Sequence, residues 1–174
     1  KVSLKPFIAS HSSVYKLCPH FRNLKDDQIL AIKKSEGLIG LNPYPLFIDP
    51  SFKKREENFK KKINEKIVKI TQYEKNSTNT WIKKQHFLQK ELRSISPSIE
   101  IFIDHIDYIV KLIGIDFVAV GSDYDGLDCL PKEIIDCRDH IKIAESLDKR
   151  GYATSDIEKV MGLNLLRVIQ TIED

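Results

Sequence analysis

The sequence predicts an α/β fold in which parallel strands alternate with helices, and three observations carry the prediction. Three short apolar runs, Phe7 to Ser10, Leu38 to Asn42 and Phe117 to Gly121, have the character of strands buried on both faces. A helical pattern separates each run from the next, and each run ends in a loop carrying polar residues, which is the order of a βαβ chain. The length of 174 residues suffices for one domain with its own core, and 41% hydrophobic with 30% charged residues is a globular composition.

After the first strand, Asn23 or Asp26 is placed to cap a helix whose positive end suits Asp26 and Asp27. Gly37 closes it after Lys33 and Lys34, and Leu24, Ile29, Leu30 and Ile32 are expected to face the sheet. The three prolines that follow the second strand, Pro43, Pro45 and Pro50, argue against a regular helix or a central strand there. Phe52, Phe59, Ile63, Ile67 and Ile70 then recur at steps of seven, four, four and three, one face of a helix. Trp81, Phe87, Leu88 and Leu92 mark a second helix after the turn "NSTNT". The expectation is a helical hairpin over residues 51–96, inserted into a single domain spanning 1–174. Pro97 opens another amphipathic helix that Gly114 ends, and beyond the third strand residues 137–150 and 155–174 read as terminal helices with Gly151 between them.

Several function classes drop out. Basic residues concentrate between 53 and 93, but Glu56, Glu57 and Glu65 are interspersed and no base-reading motif is present. That pattern favours a solvated helix face over a nucleic-acid partner. No phosphate-binding glycine loop and no G-x-S-x-G elbow occurs, and no apolar run approaches the length of a membrane span. Cys18, Cys129 and Cys137 share no metal-binding spacing and read as reduced thiols. Location stays open, with the cytoplasm favoured.

The chemistry-bearing residues sit at strand ends. His11 follows "FIAS" directly, where a parallel strand presents side chains to the ligand-binding edge, and neutral imidazole there can ligate zinc. A hydrogen-bonded loop histidine is the alternative. Asp123 in "GSDYDG" follows its strand in the same way, and a carboxylate there can hold a metal, accept a proton or cap its loop. Arg22, eleven residues after His11, has the planar guanidinium that captures a carboxylate in bidentate fashion. His20 reads as a surface residue, and His105 as one on a partly exposed helix face.

Together the segments "FIASHSS", "RNLKDDQI", "GLIGLNPYP", "DHIDYIVKLIGIDFVAVGSDYDG" and "RGYATSDIEKVMGLNLLRV" resemble, in order and spacing, the C-terminal half of the membrane dipeptidase family of zinc peptidases. The resemblance implies the C-terminal portion of a (β/α)8 TIM-type barrel with the hairpin inserted. It also implies two zinc ions bridged by a hydroxide that attacks the peptide bond of a dipeptide. On that basis His11 is a metal ligand, Arg22 holds the substrate's terminal carboxylate, Asp123 is the catalytic acid, and Asn42 and Tyr44 line the substrate pocket. The family's other metal ligands and the N-terminal half of its barrel have no counterpart here, so the chain is expected to be a fragment, inactive alone, whose partners are that missing half, the dipeptide and a possible second copy. Another binuclear-metal amidohydrolase, or a non-catalytic binding domain, is the alternative.

Overall fold

The computed structural model describes residues 5–72, 77–124 and 126–173. Strands β1 (Ile8–Ser12), β2 (Leu38–Leu41) and β3 (Val118–Val120) form a parallel sheet in the order β1-β2-β3. The three apolar runs are therefore strands, and parallel pairing sets all their carboxyl ends along one edge.

Alternate residues of the strands serve different clusters, as the two-residue period of a strand requires. Ile39, Leu41 and Val118 join the main core, while Leu38 and Ala119 pack with Val168. Helix α1 (Asp26–Lys34) contributes buried Ile29 and Ile32. Leu30 departs from expectation: it is 48% exposed, because only a narrow stripe of this short helix reaches the sheet. Neither expected cap holds. The helix is entered from Lys25, whose backbone N–H donates to the Gln28 side chain at 2.9 Å, and Asn23 is used elsewhere. Past α1 the left-handed residue is Glu36 (φ 54°), while Gly37 is needed because a Cβ there would lie 2.3 Å from the Phe7 carbonyl oxygen.

The proline-rich stretch contains one helical turn after all, α2 (Pro45–Ile48), since Pro45 stands at its first position, where a missing N–H costs nothing. Helices α3 (Phe52–Gln72) and α4 (Ser77–Arg93) follow as the expected pair. Phe52, Ile63, Leu88 and Leu92 form a second core between them, with Phe59 and Phe87 at its margin. The side chains of Ile67 and Ile70 lie outside the described residues, as do residues 73–76. Ser77 to Thr80 belong to α4 rather than to a turn, and Trp81 is 61% exposed rather than part of the stripe.

Helix α5 (Ile99–Ile113) is capped by the Ser98 hydroxyl, which accepts from the Glu100 N–H, and Gly114 ends it with φ 99°. Its Phe102, Ile103, Ile106, Ile109 and Ile113 are buried at helical spacing and form the spine of the main core. Phe102→Ala would cost about 3–5 kcal/mol. The first terminal helix starts with a tight 3-10 turn at Cys137–His140 and continues as α6 (Ile141–Lys149). The second is broken by a wide turn at Lys159–Leu163, between α7 (Thr154–Glu158) and α8 (Asn164–Glu173). α8 closes the amino-terminal edge of the sheet: Arg167 donates to the carbonyls of Glu36, Gly37 and Asp116, and Asn164 to those of Ile115 and Val118. No helix among the described residues is long and apolar enough to cross a membrane.

Candidate functional site

The site lies at the carboxyl edge of the sheet, and a bulge shapes it. In the β1–β2 register Ala9 pairs with Ile39 and Ser12 with Leu41, so Ser10 and His11 together oppose the single residue Gly40. A bulge of this kind bends its strand and re-aims the extra side chain. The neighbouring strands accept it only because they lack side chains at the contact. A Cβ on Gly40 would stand 2.4 Å from the Ser10 carbonyl oxygen, and one on Gly121 would stand 2.2 Å from it.

The loop after β1 doubles back on itself. Leu24 donates to the Ser13 carbonyl and Tyr15 to the Leu24 carbonyl, each at 2.8 Å, so the loop's two ends run side by side. Buried Asn23 locks the closure: its side chain accepts from the Ser13 N–H and donates to the carbonyls of Cys18 and Phe47 at 2.8 and 2.7 Å. The result sets Arg22 against His11, with Nη2 at 2.9 Å from Nε2. Because a guanidinium only donates, Nε2 must accept, and the ring proton sits on Nδ1, 2.7 Å from the Ser10 hydroxyl. His11 thus presents from Nε2 the lone pair that a metal would take, and Arg22 now engages that same lone pair.

His20 is not merely a surface residue. Its Nδ1 accepts from the Arg22 N–H at 3.2 Å, its ring lies 4.6 Å from those of Phe21 and Phe47, and burial together with Arg22 and Lys53 lowers its pKa. His105 is the larger correction, being 1% exposed rather than on a partly exposed face. Its Nδ1 accepts from the Val14 N–H and its Nε2 donates to the Ile48 carbonyl, both at 3.1 Å. Burial pushes its pKa down to about 4, against smaller opposing effects of the Ile48 carbonyl and Asp104. The neutral ring therefore ties the loop after β1 to α2 and to the spine of the core.

On β3, Asp123 follows the strand in the left-handed conformation (φ 50°), one that Asp tolerates better than most residues. The turn closes tightly beneath it: Gly126 donates to the Asp123 carbonyl at 3.1 Å, and a Cβ on Gly126 would stand 2.7 Å from Oδ1. Asp125, the other acid of "GSDYDG", lies outside the described residues. Asn42, at the end of β2, is fully buried and donates to Asp123 Oδ2 at 3.2 Å. Its own Oδ1 accepts from the Tyr44 N–H at 2.8 Å, which fixes which way the amide points. Asn42 therefore reaches the site through Asp123. The Tyr44 ring turns toward the hairpin, edge-on to Phe47 at 5.0 Å, and burial with nearby Cys129 raises its phenol pKa.

Strand order thus sets three ends side by side: the His11–Arg22 pair, the Asn42–Asp123 pair and the loops that hold them. Sequence reasoning named those four residues but missed Asn23 and His105, whose partners lie far along the chain. The described residues contain no group of three His, Cys, Asp or Glu side chains that could hold a metal ion. One imidazole falls short of the three or four ligands that a zinc site takes, so these residues alone do not fit a metal.

Comparison with known proteins gives this edge a context. The chain is 26% identical over 173 residues to dipeptidase tcpJ of Claviceps purpurea (strain 20.1), covering 99% of this chain and 31% of that protein. It is 29% identical over 172 residues to dipeptidase aclJ of Aspergillus oryzae (strain ATCC 42149 / RIB 40), covering 99% and 31%. The chain thus spans about a third of the length of these relatives. Its fold matches that of the probable dipeptidase PvdM from Pseudomonas aeruginosa with a TM-score of 0.72 at 23% identity, over 99% of this chain and 46% of that one. It also matches a metallo peptidase from Rhodobacter sphaeroides, liganded with a phosphinate mimic of the dipeptide L-Ala-D-Ala, with a TM-score of 0.70 at 22% identity, over 98% and 37%. The description "Membrane dipeptidase (Peptidase family M19)" fits residues 1–174 end to end, and the chain belongs to that family.

Proposed function

We propose that the protein carrying this chain is a zinc-dependent dipeptidase with two zinc ions, in which His11 is one metal ligand, Arg22 holds the dipeptide's terminal carboxylate and Asp123 carries the proton taken up by the leaving amine. The observation behind the reading is that one sheet edge, in a chain of a dipeptidase family, gathers His11, Arg22 and the Asn42–Asp123 pair. The dipeptide mimic bound by the Rhodobacter sphaeroides relative supports a substrate of that class.

On this reading the other metal ligands come from outside these residues. The three strands belong to the C-terminal part of a (β/α)8 barrel, and the 174 residues alone are inactive. Within the chain, the Asn42 amide orients the Asp123 carboxylate, and the Asn23-locked loop sets Arg22 against His11. An arginine suits the substrate's end because its planar donors match a carboxylate in bidentate geometry.

The test uses the full-length, metal-loaded protein with a dipeptide and the same dipeptide amidated at its C-terminus. Replacing Arg22 by Ala should lower kcat/KM for the free dipeptide about ten- to a hundredfold, the worth of a charge-assisted hydrogen bond, and the amide should lose far less. Absence of dipeptide hydrolysis by the unaltered protein, or an equal loss on both substrates, defeats the proposal.

A further inference from the structure

A cavity of about 170 Å³ lies between the last turns of α4 and the loop that leaves β3. Its wall includes Gln89 and Arg93 from α4, and Tyr124, Leu130, Ile134 and Asp136 from the loop. Tyr124 directly follows Asp123 in the chain, so one wall of the cavity is built by the loop that carries Asp123. It is smaller than the several hundred Å³ typical of a pocket that encloses a whole small molecule, and its size is that of a single side chain.

The charges of the wall do not balance. Asp136 is held by Arg138 through two bonds of 2.9 and 2.6 Å, and the nearby Asp139 is held by Lys142 at 2.8 Å. Arg93 is only partly exposed, yet its guanidinium has no hydrogen bond or ion pair among the described residues. A guanidinium carries five donors and no acceptor, so one left unpaired in a half-buried wall lacks an anionic partner. Beside it, burial and the nearby Cys137, Asp136 and Asp139 push the Tyr124 phenol up to about 12, which keeps it a hydrogen-bond donor. Gln89 adds an amide, while Leu130 and Ile134 supply an apolar floor that would accept methylene groups.

We propose that this cavity is a side-chain subsite for a residue bearing a carboxylate, an aspartyl or glutamyl side chain whose charge pairs with Arg93. The inference rests on the dipeptidase reading and deepens it: the hairpin, through α4, would select among dipeptides. An aspartyl side chain and its asparaginyl isostere differ by the charge alone, and both leave the terminal carboxylate to Arg22.

The experiment compares kcat/KM of the full-length, metal-loaded protein for alanyl-aspartate against alanyl-asparagine, and for the two peptides in reverse order. The acidic member of one pair should be favoured about ten- to a hundredfold. Arg93→Gln should bring that ratio close to one, and Arg93→Glu should invert it, which a loss of packing alone does not do. Calorimetric titration with N-acetyl-aspartate and N-acetyl-asparagine reads the same preference without turnover. A ratio near one in the unaltered protein, or a ratio that survives Arg93→Gln, overturns the subsite while the dipeptidase reading stands. Preferential binding of N-acetyl-aspartate that Arg93→Gln abolishes supports the subsite even if no dipeptide is cleaved.

Discussion

His105 shows how much of the site depends on a residue that touches none of its chemistry. As a neutral ring it accepts from Val14 and donates to Ile48; protonation at Nδ1 would point two donors at each other. Its folded pKa of about 4 lies below the ordinary histidine value of 6.5, so the unfolded chain binds the proton more readily. Stability should therefore rise with pH between about 4 and 6.5, and acid should remove about 3 kcal/mol across that window. Denaturant unfolding of the purified protein at pH 7 and pH 5 measures this; His105→Gln should flatten the slope, and an unchanged slope would assign it to other groups. His105→Asn keeps an acceptor for Val14, whereas His105→Gln keeps a donor for Ile48, so the two variants separate the two ties. Neither His105 nor Asn23 announces itself in the sequence. The partners of His105 lie 91 and 57 residues away and are backbone groups, which leave no pattern of residue types. His11, Arg22 and Asp123 were legible because strand ends and residue chemistry are both local features.

At the level of elements, periodicity recovered what periodicity governs. The three strands, the paired helices α3 and α4 and the buried stripe of α5 follow from runs and spacings of apolar residues. Departures came where a few atoms decide the outcome: a proline at the first position of α2, a helix entered from Lys25, and the wide turn that breaks the last helix. The β1 bulge belongs to the same group. A glycine inside an apolar strand is a recognised sign of close backbone approach, and Gly40 stands in "LIGLN" as that sign. Gly121→Ala should destabilise the protein by about 1–3 kcal/mol, the usual cost of overpacking, because its methyl group would meet the Ser10 carbonyl. Gly151→Ala is the control: its φ is positive but nothing lies within 4 Å of its Cβ, so only the backbone conformation resists it. Thermal unfolding of the two variants, with a smaller loss for Gly151→Ala, checks the account; equal losses would remove the steric role given to Gly121.

For the whole molecule, the open flanks of the sheet and the single imidazole at its carboxyl edge, with no metal-holding group of side chains among the described residues, point the same way as the proposal. β1 and β3 are edge strands among the described residues, and Phe7 and Ile8 at the start of β1 are 42% and 38% exposed. Leu165, Leu166, Ile169 and Ile172 leave the outer face of α8 equally apolar and uncovered. Unpaired edges of this kind are normally covered in a stable protein. The proposed barrel would cover them and bring the missing ligands to His11. Zinc content of the full-length protein, measured by mass spectrometry of the metal after exhaustive dialysis, tests that claim most directly. The account predicts about two ions per chain, as in two-metal hydrolases, falling to about one in His11→Ala. The same zinc content in the unaltered protein and in His11→Ala would contradict it.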